Sequence, residues 1–188
     1  MTMKSIAKPL PGQHPDWAHV YIERLPDDGQ VLAHLTQGMA DLMELVGSLT
    51  EEQLHYRYAP GKWSIKETLV HVMDVERVFT FRGLTAARQD TTPLPGFDHN
   101  AYVPASRADL RKGADLLAEY RALRSATLLF FGGLDDTALN FVGEAKDQPC
   151  TARAMIYMIT GHEHHHLGIL RERYLPALAA ADGHVGAG

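Results

Sequence analysis

Apolar residues recur at steps of three and four along four stretches of the chain, the period of helices that bury one face. In the first stretch Leu32, Leu35, Met39, Leu42, Val46 and Leu49 form the stripe, with Asp27 and Gln30 in capping-box positions ahead of it. Thr50 and Gln53 repeat that pattern and open a short turn. After the Pro60-Gly61 break, Ser64 and Glu67 form a third capping box. The helix they open carries Ile65, Leu69, Val72, Glu76 and Phe79 on one stripe, with His71 and Val75 beside it, to about Arg88. A third helix is predicted from Ser106 and Asp109, with Leu110, Leu117, Tyr120, Leu123, Thr127 and Phe131 inward and Gly132-Gly133 as its stop. Thr151 caps the fourth, along which Met155, Ile159, His162, His166, Ile169 and Arg173 alternate steps of four and three. Pro176 lies just past its expected end.

The segments between these helices are read from their breakers. Residues 1–26 hold Pro9, Pro11, Pro15 and Pro26, so no long helix fits. Trp17, Val20, Tyr21 and Ile22 give this arm an apolar side to dock on the body or on a neighbouring subunit. Residues 89–105 carry Pro93, Pro95, Gly96 and Pro104 and read as neither helix nor strand. A connection that long crosses over or lines a site. Residues 135–149 read as a polar connection with a brief extended piece at 139–142, and the Ala/Gly-rich residues 177–188 as a frayed tail. The expectation is one all-α domain, a four-helix bundle over residues 27–176, between an arm and a tail.

Composition narrows the function classes. The 188 residues are enough for one domain with a full core, and 45% hydrophobic with 22% charged residues is ordinary for a globular protein. A net charge of −5 gives no basic stripe for nucleic acid, so no nucleic-acid partner is expected. No apolar run approaches the length of a transmembrane helix, and Met1 to Gly12 lacks an apolar signal core, so a cytoplasmic location away from membranes is expected. The single cysteine, Cys150, excludes an intrachain disulfide and fits a reducing compartment.

Eleven histidines are many for this length, and their clustering matters more than their number. Gly161-His162-Glu163-His164-His165-His166 puts four of them in five positions of the last helix. His162 and His166 are one turn apart on the inward stripe, where the pattern asks for apolar residues. Buried imidazoles need partners for both ring nitrogens, and a shared metal ion is one solution. His164 lies on the opposite side and is expected in solvent, while His165 sits at the edge of the face. The third candidate ligand is His71; the remaining histidines, His99 among them, show no second ligand at suitable spacing. Three protein ligands leave an open site of catalytic type. His71 stands ~10 Å from the start of its helix, and the His162/His166 pair ~15 Å before the end of theirs. These levels match best if the two helices are antiparallel, which with the long 89–105 connection gives an up-down-down-up bundle.

Trp63-Ser64-Ile65-Lys66-Glu67-Thr68-Leu69-Val70-His71-Val72-Met73-Asp74-Val75-Glu76, followed downstream by Gly161-His162-Glu163-His164-His165-His166-Leu167-Gly168, resembles the DinB-like (YfiT-like) superfamily of metal-binding four-helix bundles, which is unrelated to the similarly named polymerase. Leu94-Pro95-Gly96-Phe97-Asp98 is also similar to a segment of one branch. The resemblance covers roughly residues 28–175. It implies an up-down-down-up bundle, a homodimer, and a metal triad of His71, His162 and His166 binding one divalent ion, zinc or nickel. It also implies a small-molecule substrate. Some members are thiol S-transferases or isomerases using low-molecular-weight thiols such as bacillithiol or mycothiol, and others are described as metal-dependent hydrolases. This sequence has Ile169 where many relatives carry glutamine.

Three functions are open at this level. In the favoured one, thiol transfer, the ion deprotonates a bound thiol for attack on an electrophile. In hydrolysis the ion acidifies a water instead, and Asp74, Glu76 or Glu163 is the candidate base or orienting carboxylate. In the third reading the ion pins a non-catalytic binding module. Arg82 is a further candidate, for holding an anionic substrate.

Overall fold

Capping explains where most of the helices begin. In the computed structural model, which describes the backbone of residues 3–185 and the side chains of residues 3–180, Glu67 N–H donates to Ser64 Oγ while the Glu67 carboxylate accepts from Ser64 N–H. That reciprocal box starts helix α2; the four bundle helices are α1 (Val31–Gly47), α2 (Ile65–Ala87), α3 (Gly113–Gly132) and α4 (Ala152–Ile169). Thr50 and Gln53 form the same box on the short helix Glu51–Leu54, and Thr151 Oγ1 accepts from Ala154 N–H at 3.0 Å to open α4.

Two apolar clusters fix the helix directions. Leu32 and Leu35 near the start of α1 share one cluster with Phe79 late in α2, Phe131 at the end of α3, and Met155 and Ile156 early in α4. Leu42 and Val46 late in α1 share the other with Ile65 and Leu69, Leu116, and Leu167, which lie at the opposite ends of the other three helices. The bundle therefore runs up, down, down, up, as expected. Because α2 and α3 point the same way, the chain must return along the full length of α2, whose 23 residues span ~35 Å. The long crossover is the consequence of this topology.

Within that crossover the structure departs from expectation. Asp98 Oδ1 accepts from Asn100 and Ala101 N–H and caps a short helix, His99–Ala105, which holds Pro104 in its last turn. The third bundle helix begins at Gly113, not at Ser106; residues Ala108–Leu110 form a 3-10 turn, and Leu110 is exposed. Asp109 is engaged elsewhere: Ser64 Oγ donates to it at 2.6 Å and Arg57 pairs with it at 2.7 Å. At the first bundle helix Asp27 is no cap either. Asp28 Oδ1 accepts from Gln30 N–H at 2.9 Å, the turn is completed by Gly29 at φ +70°, and the helix starts at Val31.

The connection after α3 holds a short helix, Asp136–Asn140, capped by Asp135, and then a hairpin of β1 (Gly143–Ala145) and β2 (Gln148–Cys150). Lys146 and Asp147 form its turn with φ of +53° and +58°, the backbone sign that tight hairpins use. Lys146 N–H donates to the Leu94 carbonyl and so ties the hairpin to the crossover. Helical backbone also continues beyond the expected stop. A π turn at Leu170–Tyr174 accommodates Pro176, which lacks an N–H and crowds the carbonyl four residues earlier, and helix then runs over Leu175–Val185. Leu178 is buried against the second cluster, which gives residues 177–180 a docking site; residues 186–188 lie outside the described residues.

The N-terminal arm lies over α4. Ile6, Ala18, Ile22 and Leu25 join the first cluster, while Trp17 and Val20 stay largely exposed. As a result α4 is buried nearly all round from Ala154 to Glu163, more than a single inward stripe implies. Gly161 is what lets the arm approach: a Cβ there would lie well inside contact distance of the Tyr21 carbonyl oxygen. Gly161→Ala is expected to lower stability by about 1–3 kcal/mol and to raise amide exchange in residues 16–25. Gly168→Ala is the control, since the nearest atom to its added Cβ is 4.0 Å away. Equal melting temperatures for the two variants would contradict the packing argument.

Candidate metal centre

Antiparallel packing of α2 on α4 brings His71 level with His162 and His166. His162 Nε2 stands 3.1 Å from His71 Nε2 and 3.2 Å from His166 Nε2. One ligand nitrogen from each of the three lies within 4.8 Å of the others, and all three residues are buried. Two nitrogens each ~2.1 Å from one tetrahedral ion would be ~3.4 Å apart, close to these separations. Burial above all, helped by the neighbouring His99 and His165, lowers the His71 pKa to about 4. Burial, then His71, brings His166 to about 2, and His162 is also held well below the ordinary range. Near neutral pH the three rings are therefore uncharged, with lone pairs to offer. With each ring in its Nδ1–H tautomer the three Nε2 lone pairs converge, and one cation satisfies all three, so the donor set fits a divalent ion.

The surroundings hold the rings in place. Trp63, just ahead of α2, lies with its ring 4.6 Å from that of His71. Tyr21 of the arm sets its ring edge-on to His162 at 5.3 Å and reaches His165 at 6.0 Å. The triad opens into a cavity of about 540 Å³, walled also by Trp17, Phe79, Arg82, Phe97 and Lys146. His99 and His165 line it too. His99 shows no ligand spacing in the sequence; the crossover carries its ring to 5.6 Å from that of His71. Its sequence signal is local, as the first residue of a helix capped by the Asp98 of the Leu94–Asp98 segment. His164 is half-buried and faces the other side, in a shallow cleft with His34, Asp41 and Arg171. Ile169 borders a neighbouring groove beside His166 and Tyr174.

The three candidate carboxylates are all elsewhere. Asp74 pairs with Arg77 at 3.1 Å on the outer side of α2. Glu76 and Glu163 are fully buried on Arg124, a residue that the apolar pattern of α3 does not include. Among the described residues no aspartate or glutamate lines the cavity. Cys150 is buried, its Sγ 3.9 Å from the Arg82 carbonyl oxygen, and burial pushes its thiol up to about 11.

Comparison with known proteins agrees with this architecture. The family model described as the DinB superfamily matches residues 34–170. No curated protein matches the chain significantly. Among solved structures, YfiT from Bacillus subtilis, described as a probable metal-dependent hydrolase with an unusual four-helix bundle topology, superposes with a TM-score of 0.69. The match covers 78% of this chain and 85% of that one at 19% identity, a likeness of fold. No helix among the described residues is long and apolar enough to cross a membrane.

Proposed function

The chain belongs to the DinB superfamily, and from that premise we propose that it is a metal-dependent enzyme that transfers a low-molecular-weight thiol to a small electrophilic substrate. The observation that carries this reading is the position of three converging imidazole nitrogens at the wall of an open cavity that no carboxylate of the described residues lines. His71, His162 and His166 hold the ion, and neutral imidazoles suit zinc or nickel. When bound, the ion supplies Lewis acidity that makes a thiol or a water molecule easier to deprotonate.

The cavity wall favours the thiol. A thiol starts from a pKa of about 8.5, so modest acidification is enough, whereas water needs far more and gains from a positioned carboxylate base. Asp74, Glu76 and Glu163 are not there to provide one. His99 and His165 face the cavity and can take the thiol proton as sulfur attacks the electrophile and the leaving group departs. Cys150, buried and hard to ionise, does not supply the sulfur, so the thiol is a co-substrate. Hydrolysis is the second reading, supported by the same two imidazoles as bases for water and by the description of YfiT. The assay is turnover of a chromogenic chloronitrobenzene by metal-loaded protein with and without bacillithiol, mycothiol or cysteine. Product is expected only when both metal and thiol are present. For hydrolysis the corresponding assay is ester cleavage; cleavage without thiol moves the assignment there, and no turnover in either assay across several metals leaves a binding module.

A further inference from the structure

Among the described residues the buried cations follow a rule with one exception. Lys66 Nζ is satisfied by the Glu51 carboxylate at 2.7 Å and the Arg111 carbonyl at 2.7 Å. Arg124 has two carboxylates. Arg82 has neither arrangement, although only 8% of the residue is exposed. Its hydrogen-bond partner is the Pro95 carbonyl at 3.2 Å, and its guanidinium lies 5.9 Å from the Phe79 ring and 5.6 Å from the Phe97 ring. No carboxylate among the described residues pairs with it. A guanidinium carries five N–H donors, and no nitrogen of Arg82 is a buried atom without a partner, so the donors that Pro95 does not take keep accessible surface and are available to a ligand.

Its position says what that ligand is. Arg82 lies about three turns beyond His71 on the same face of α2, ~16 Å along the axis, with Val75 and Phe79 between them. All four line the cavity. Lys146, carried in by the hairpin turn, adds a second cation in the cavity wall, and among the described residues no acidic side chain lines the cavity to offset either charge. The cavity is therefore cationic in a protein of net charge −5, and its middle is aromatic.

We propose that Arg82, assisted by Lys146, is the anchor for a carboxylate, and that the substrate is a small organic acid with a flat apolar body. The carboxylate sits on Arg82, the body lies against Phe79 and Phe97, and the reacting end points at the triad. Only this last orientation rests on the metal-dependent reading. Arg82 is a positioning and specificity residue.

The test uses benzoate and its neutral analogue benzamide, titrated by calorimetry and tryptophan fluorescence into metal-free wild-type protein, where no ion can hold the carboxylate. Benzoate is expected to bind at least tenfold more tightly than benzamide. Arg82→Met should weaken benzoate about tenfold or more and leave benzamide unchanged, and Arg82→Lys should restore part of the loss, since an ammonium lacks the fork of the guanidinium. If Arg82→Met fails to fold, Arg82→Lys and Lys146→Ala carry the comparison, each with a two- to fivefold loss expected. Equal binding of the two compounds by wild type, no benzoate binding, or full benzoate affinity in every folded Arg82 and Lys146 variant overturns the proposal. Selective benzoate binding by a protein that takes up no metal would sink the metal centre and leave the carboxylate anchor standing.

Discussion

Changing His162 to alanine is expected to abolish stoichiometric metal binding. His162 Nε2 is the central nitrogen of the three, 3.1 Å from one partner and 3.2 Å from the other, so its loss leaves no adjacent pair. Loss of an outer hydrogen-bond partner of a ligand typically costs about 10- to 100-fold in metal affinity. Loss of the ligand itself should exceed that range, and His71→Ala and His166→Ala should do so too. Untagged protein, loaded with zinc or nickel and dialysed, would give about one ion per chain in wild type and almost none in the variants. Metal should also raise the wild-type melting temperature. Stabilisation by a ligand at a thousand times its dissociation constant is about 4 kcal/mol, and the variants should lose that gain. Comparing metal-free melts separates this from misfolding. In the metal-free wild type the three buried rings are a burden, so the metal-free His162→Ala protein should be no less stable than its parent by more than a cavity's cost. Undiminished metal in all three variants would refute the centre.

The triad is legible in the amino-acid sequence because each of its features is local. His162 and His166 are one turn apart on an inward stripe, and His71 lies beside the stripe of another helix at a matching level. The capping boxes at Thr50 and Ser64 are legible for the same reason, since a cap needs only its own four residues. What the sequence hides depends on partners distant along the chain. Asp109 follows Ser106 in a helix-start pattern, yet it bonds Ser64 and Arg57, and the helix begins later at Gly113. His99 reaches the cavity only because two parallel helices force a long crossover. Arg82 is a candidate anion holder in the sequence, but its lack of a carboxylate partner among the described residues shows only in the fold. One distant feature does leave a trace. Glu76 stands on the inward stripe of α2, and Tyr120, Arg124, Thr127 and Phe131 step along α3 by four, three and four, all buried. Opposite charges on two inward faces are the mark of a buried ionic layer.

That layer sets the second large effect, which is on stability. Arg124 is wholly buried between the two apolar clusters and uses every donor it has. Nε bonds Glu76 Oε1 at 3.1 Å, Nη1 bonds the Leu35 carbonyl at 3.0 Å and Glu163 Oε1 at 2.9 Å, and Nη2 bonds Glu76 Oε2 at 2.8 Å and Glu163 Oε2. Tyr120 Oη donates to Glu163 Oε2 at 2.5 Å. One side chain thus joins all four helices, and Glu163 lies between the triad's His162 and the rest of its turn. Arg124→Met would leave two carboxylates buried without a cation, and breaking a buried pair in this way costs about 3–5 kcal/mol. That is a large share of the roughly 5–15 kcal/mol by which a domain is stable. Denaturant melts of the metal-free variant should show that loss, and the metal-loaded variant should unfold earlier than metal-loaded wild type by a similar amount. The companion variant Arg124→Met/Glu76→Leu/Glu163→Met removes all three charges, and most of the lost stability should return, because an apolar layer needs no counter-ion. If the triple variant melts no higher than Arg124→Met, the loss comes from packing volume and the charge argument fails. If Arg124→Met alone melts like wild type, the layer contributes nothing measurable.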